Sequence, residues 1–213
     1  PDPDDTTSQA EIDEPPALSP AVSIPIDGQW QDFPSVSAAE KASYADFKAA
    51  SHRNAQNFHI TDNDLGAGGA KAKFQANLNA IQLLKHLEAE GLQASPDQQQ
   101  VLSRYVGWGG LPDAFDESKP GWASEYQALK AALTPEEYTA ARASTLNAHY
   151  TSPTVIRAIY EAVGNMGFQT GNILEPSMGI GNFFGMLPEN MQSSRLYGVE
   201  LDSITGRIAK QLY

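Results

Sequence analysis

The residues with chemistry to offer are concentrated in one stretch. In Ile173-Leu174-Glu175-Pro176-Ser177-Met178-Gly179-Ile180-Gly181-Asn182-Phe183-Phe184 an apolar strand pattern ends in an acid, passes through a small-residue loop and enters a helix start. Further on, Tyr197-Gly198-Val199-Glu200-Leu201-Asp202 is again a short apolar run tipped with an acid. A strand, a glycine loop, a helix and a second strand ending in a carboxylate form the nucleotide-binding half-site of an open α/β sheet. Gly179 and Gly181 let the backbone approach a ligand that a β-carbon would block. The two oxygens of Glu200 match two adjacent ribose hydroxyls. Each feature also has a plainer reading. The glycines suit an ordinary strand-to-helix turn, and Glu200 suits a helix N-cap, although Asp202 before Ser203 fits that role better. The spacing is not the dinucleotide form, because only two of its three glycines are present.

The elements that must position these residues read in order. From residue 153 the pattern is helix, strand, helix, strand, helix, the succession of α/β architecture. Only two strands fit before Tyr213, so the sheet is expected to be partial. Residues 39–146 read as a mostly helical extension. One helix is expected over 39–54, followed by a glycine loop at 66–69. A second covers Phe74 to Glu90, with Leu78, Ile81, Leu83, Leu84 and Leu87 at helical spacing and Gly91 as its C-cap. Ser95-Pro96 opens a helix to about Tyr105. A turn around Trp108 and its glycines fills 106–115, either presenting an aromatic ring or locking the extension in place. Helices over Trp122–Leu133 and from Thr134-Pro135-Glu136-Glu137 to about Leu146 complete the extension.

Charge separates the chain into two parts. The formal net charge is −12, yet residues 1–40 hold nine acids and no Lys or Arg. The remainder carries 14 basic and 17 acidic groups, which is nearly neutral. Residues 1–38 are rich in Pro, Asp, Ser and Thr and are expected to be a disordered acidic tail. The near-neutral body argues against tight autonomous DNA binding, which needs clustered Lys and Arg. There are no cysteines, so neither disulfides nor thiolate metal sites arise. His52, His59, His86 and His149 show no metal-ligand spacing. No apolar run approaches a membrane span and no signal pattern opens the chain. A cytoplasmic, monomeric protein without metal is the expectation.

A third motif joins the two strand ends. Asn147-Ala148-His149-Tyr150-Thr151-Ser152-Pro153 lies just before the helix that leads into the first strand. Together, Glu175-Pro176 with Gly179 and Gly181, then Glu200, then Tyr150-Thr151 resemble the motifs of class I S-adenosylmethionine-dependent DNA adenine-N6 methyltransferases. Upstream, Phe58-His59-Ile60-Thr61, Leu65 to Gly69 and Tyr105-Val106-Gly107-Trp108-Gly109-Gly110-Leu111 resemble large methylase–helicase fusion proteins of conjugative elements and phages. This similarity covers roughly residues 55–213.

The resemblance implies a partial Rossmann-like α/β domain over 147–213, preceded by the helical extension of 39–146 and the tail of 1–38. It implies S-adenosyl-L-methionine as cofactor, with Tyr150, Thr151, Glu175, Pro176, Gly179, Gly181, Glu200 and Leu201 at its site. Glu175 would face the cofactor's amino group, Glu200 the ribose, and Leu201 the adenine, unless Leu201 packs in the core. It implies DNA as partner through a longer protein. The Asn/Asp-Pro-Pro-Tyr/Phe motif that such enzymes use to hold an extruded adenine does not occur, so no catalytic residue is assigned and the fragment itself is expected to be inactive. Two alternatives stay open: RNA or protein glutamine as substrate, and a non-catalytic DNA-interaction module of the same fold.

Overall fold

The computed structural model describes residues 22–26, 29–33, 38, 57–62, 65–146 and 148–213. The chain divides into two compact units, Pro1–Ala55 and Gln56–Tyr213. In the first unit, β1 (Val22–Ile26) and β2 (Gln29–Phe33) pair antiparallel, with Ile26 opposite Gln29. Apolar residues alternate at 22, 24 and 26, and only Asp27-Gly28 separates the strands, the dipeptide that a two-residue hairpin loop prefers. The rest of the acidic tail, Ala38 aside, and the helix expected over 39–54 lie outside the described residues.

The second unit is α-rich. Its longest helix, α1 (Ala70–Glu90), starts four residues before the expected Phe74 and ends where Gly91 enters the left-handed region at φ 65°. Helix α2 (Pro96–Leu102) opens on a capping box between Ser95 and Gln98. Helices α3 (Ala123–Ala132) and α4 (Pro135–Ala143) follow, the latter with a capping box between Thr134 and Glu137. The two capping boxes satisfy backbone N–H groups that the first turn leaves without partners. The Trp108 turn and a 3-10 turn at Pro112–Phe115 connect α2 to α3. Trp108 is fully buried, ringed by Phe74, Tyr105 and Phe115 at centroid distances of 6.1, 6.4 and 5.3 Å. Of its two sequence readings, the locking role is the one observed.

Helix α5 (Pro153–Asn165) leads into β3 (Asn172–Glu175), and β4 (Arg195–Gly198) pairs parallel to it, Ile173 beside Leu196 and Glu175 beside Gly198. The expected α/β sheet is thus present only as this small two-stranded parallel sheet. The helix between the strands, α6 (Asn182–Gly185), lasts one turn. Gly185 and then Pro188 stop it, since neither residue sustains a helix interior. Strand β4 begins and ends earlier than the expected 197–202. Its pairing still reaches Val199, whose N–H donates to the Glu175 carbonyl at 2.9 Å, before the chain turns into α7 (Ser203–Leu212).

The core lies between α1, α2, α3 and α7. Ile81, Leu84 and Leu87 of α1, Leu102, Leu129, and Ile204, Ile208 and Leu212 of α7 are all buried in it. Polar ties fix α7 there. Gln211 Oε1 accepts from the Ala94 N–H at 2.8 Å, and Gln99 Nε2 donates to the Gln211 carbonyl at 3.0 Å. Arg207 Nη1 donates to Glu137 Oε1 at 2.7 Å while its Nε donates to Glu88 Oε1 at 2.7 Å. The segment at 57–60 closes the same side, with the Phe58 N–H bonded to the Leu212 carbonyl and that of Ile60 to the Gly185 carbonyl, both at 2.8 Å.

Candidate functional site

Parallel strands end at the same edge, so the residues that follow them meet there. After β3 the chain turns at Pro176-Ser177, and after β4 it reaches Val199-Glu200. The Met178 N–H donates to the Val199 carbonyl at 3.0 Å, which draws the two segments together. Glu200 completes the contact. Its Oε2 accepts from the Gly179 N–H at 2.9 Å and its Oε1 from the Asp202 N–H at 2.9 Å. The carboxylate at the second strand tip and the glycine loop after the first therefore form one unit, as their spacing predicts.

The glycines are dictated by conformation and by neighbours. Gly179 and Gly181 have φ of 58° and 85°, a region L-residues avoid. A β-carbon on Gly179 would fall 2.9 Å from Tyr150 Cε1, and one on Gly181 would fall 2.6 Å from Tyr213 Cε2. Two of the protein's own rings thus cover the loop. Met178 also folds back over Gly198, where a β-carbon would overlap its sulfur. Beside the loop, Asn182 Oδ1 is buried and has no hydrogen-bond partner.

Tyr150 belongs to a polar cluster under this edge. Its hydroxyl and that of Tyr105 both lie near the Thr205 side chain. Thr205 in turn donates its N–H and hydroxyl to Asp202 Oδ1 at 2.7 and 2.6 Å, and Asp202 caps α7 as its sequence position suggests. Burial, reinforced by Tyr105 alongside, pushes the Tyr150 hydroxyl well above its ordinary range. Burial and nearby Asp202 do the same to Tyr105. Both stay neutral hydrogen-bonding groups at any physiological pH.

The other predicted residues scatter around this edge. Glu175 is half-buried, and burial raises its carboxyl above the usual range while the Ser177 N–H partly offsets the shift. Tyr160, whose hydroxyl donates to the Phe183 carbonyl at 2.8 Å, is pushed up to about 12 by burial and by Glu175. Pro176 and Thr151 are exposed. Leu201 does not pack in the core: it is 100% exposed, at the outer edge of the site. The sequence reading missed the cluster around Thr205, because its members come from the turn after α2, the 148–152 segment and the start of α7, which no local pattern links.

Among the described residues, no group of three or more His, Asp or Glu side chains could hold a metal ion. No described helix is long and apolar enough to cross a membrane.

Comparison with known proteins gives a narrow result. No family model matches the chain, and no solved structure matches it. A curated relative, the Defense against restriction protein B of Escherichia phage P1, is 28% identical over 139 residues. The match takes in 65% of this chain but only 5% of the relative, so the chain spans a small fraction of that protein's length. This corrects the family assignment drawn from the motifs. The matching relative is named for defence against restriction, and nothing in the comparisons places the chain among DNA adenine-N6 methyltransferases or methylase–helicase fusions. The physical reason is that a strand, a glycine loop and a strand-tip acid recur wherever a parallel strand pair needs that turn, so the motifs specify a local geometry and not a family.

Proposed function

We propose that the edge formed by the 176–181 loop and Glu200 binds the nucleoside part of a cofactor, with S-adenosyl-L-methionine as the first choice. One observation carries this reading: Glu200 Oε2 lies 2.9 Å from the Gly179 nitrogen, so a carboxylate and a glycine loop share the ends of two adjacent parallel strands. That is where open α/β sheets take nucleotide ligands. In this reading β3, the loop, α6 and β4 are the opening unit of a Rossmann-like sheet. Glu200 has lone pairs left for ribose hydroxyls, since each oxygen accepts one internal bond. Asn182 Oδ1 offers an unpaired acceptor beside the loop. Leu201, fully exposed at the rim, is free to cover an adenine.

The chemistry such a cofactor supplies is methyl transfer, and DNA adenine is the proposed acceptor within a longer polypeptide. The relative's name supports a DNA setting, because restriction is an attack on DNA. A second reading is favoured by a specific observation. Both Glu200 oxygens and both loop glycines are already engaged by the protein itself, which suits a non-catalytic module that retains the fold.

Isothermal calorimetry with S-adenosylmethionine and its demethylated product separates the two. Saturable heat with a thermal shift supports the cofactor reading. Absence of both at millimolar ligand leaves the non-catalytic one.

A further inference from the structure

The Tyr150 ring is held between two glycines from different parts of the unit. A β-carbon on Gly107 would fall 2.8 Å from its Cε2, and one on Gly179 would fall 2.9 Å from its Cε1. Opposite edges of one ring thus rest on the Trp108 turn and on the 176–181 loop. Both glycines are in the left-handed region, at φ 68° and 58°, so neither backbone tolerates a side chain that could replace the contact.

The turn on the Gly107 side is itself rigidly held. Asn77, fully buried on α1, donates from Nδ2 to the Gly107 carbonyl at 2.5 Å and accepts from the Val106 N–H at 2.8 Å. The Gly110 N–H donates to the Thr145 carbonyl at 3.1 Å. A β-carbon on Gly109 would overlap the Ala148 carbonyl, so the strand of chain carrying Tyr150 lies flat against this turn. The hydroxyl end lies near the Thr205 side chain. The loop on the other side is held by the Glu200 carboxylate and the Val199 carbonyl at its Gly179 and Met178 amides, by buried Ile180, and by two rings, Tyr213 at Gly181 and Tyr150 at Gly179.

We infer that Tyr150 is a positioning residue through which the helical layer, by way of the Trp108 turn, holds the 176–181 loop in shape. The ring transmits the rigidity of α1 and its turn to the Gly179 end of the loop, while Ile180 and Tyr213 anchor its Gly181 end. Where the inference touches ligand binding it rests on the cofactor reading above; the effect on the loop does not.

Hydrogen exchange on the full chain tests it without any ligand. Tyr150→Ala should speed exchange at Gly179 and its loop neighbours about tenfold or more, by local opening, with the amides of α1 and α7 unchanged. Tyr150→Phe keeps both ring edges and should leave the loop protected. Tyr150→Leu keeps apolar volume without reaching both glycines, and should behave like Tyr150→Ala at the loop; it carries the test if the alanine variant does not fold. Unchanged loop exchange in the alanine or leucine variant overturns the inference. So does uniform acceleration across all segments, which would make the ring a general stabiliser. Loss of loop protection in Tyr150→Phe would assign the effect to the hydroxyl and overturn it as well. Calorimetry on the same variants then reads S-adenosylmethionine affinity. If the unmodified chain shows no binding, the cofactor reading fails while the exchange result stands.

Discussion

Glu200 is a charged acceptor for two backbone N–H groups, Gly179 and Asp202, each at 2.9 Å. Hydrogen bonds to charged groups contribute about 1.5–3 kcal/mol each, the lower end for a half-exposed pair such as this. Glu200→Ala is therefore expected to lower the melting temperature modestly and, on the cofactor reading, to weaken S-adenosylmethionine binding about tenfold or more. Calorimetry on both proteins checks it, and unchanged affinity would confine Glu200 to holding the loop. Gly181→Ala should be worse for folding. Forcing a β-carbon at φ 85° costs about 1–2 kcal/mol, and the Tyr213 ring must also move, since the added atom would sit 2.6 Å from it. Urea denaturation should show a loss of about 2 kcal/mol or more. The identities at these positions were legible in the sequence, because a left-handed turn after a strand calls for glycine. Their partners were not: Tyr150 and Tyr213 reach the loop through tertiary packing that no local spacing encodes.

At the level of elements, helix ends were the best-encoded feature. Ser95-Pro96, Thr134-Pro135 and Gly91 each mark a boundary that the structure keeps, because caps act through residues next to them in sequence. The Thr134 box is open to test. Thr134 Oγ1 accepts from the Glu137 N–H at 3.2 Å, and Thr134→Ala should cost about 1 kcal/mol, read as a shift in the chemical denaturation midpoint. The strands were harder to delimit. β4 stops at Gly198 because Glu200 turns back onto Asp202, a choice made by side-chain hydrogen bonding rather than by β-propensity. The hairpin of β1 and β2 was missed although Asp27-Gly28 advertised it. The acidic, proline-rich composition of the surrounding residues outweighed a two-residue signal.

For the whole unit, a charge network ties α1, α4 and α7 together. Glu137 accepts from Lys85 Nζ at 2.6 Å, from the Thr134 N–H at 2.9 Å and from Arg207 at 2.7 Å. Burial works against its ionised form, but these donors prevail and hold its carboxyl at about 2 against an ordinary 4.5. A carboxyl depressed on folding adds stability above its unfolded pKa and loses it as pH falls toward the folded one. Thermal melts should thus drop between about pH 4.5 and 2, and Glu137→Gln should flatten that part of the profile while lowering stability at neutral pH. A profile identical to that of the parent protein would show that other carboxyls dominate. Only the Thr134 contact, three residues away, belonged to a helix start legible in the sequence; the two ion pairs were not, since Lys85 and Arg207 stand 52 and 70 residues from Glu137. The same long reach bears on how the protein is made. Arg207 and Glu88 are 119 residues apart, and Leu212 and Gln211 bond to Phe58 and Gln99 far upstream. A ribosome adding roughly 5–20 residues per second leaves the apolar faces of α1 and α2 without their α7 cover for on the order of ten seconds. Chains stopped short of residue 203 are thus expected to expose these faces and to bind a hydrophobic dye that the full chain does not.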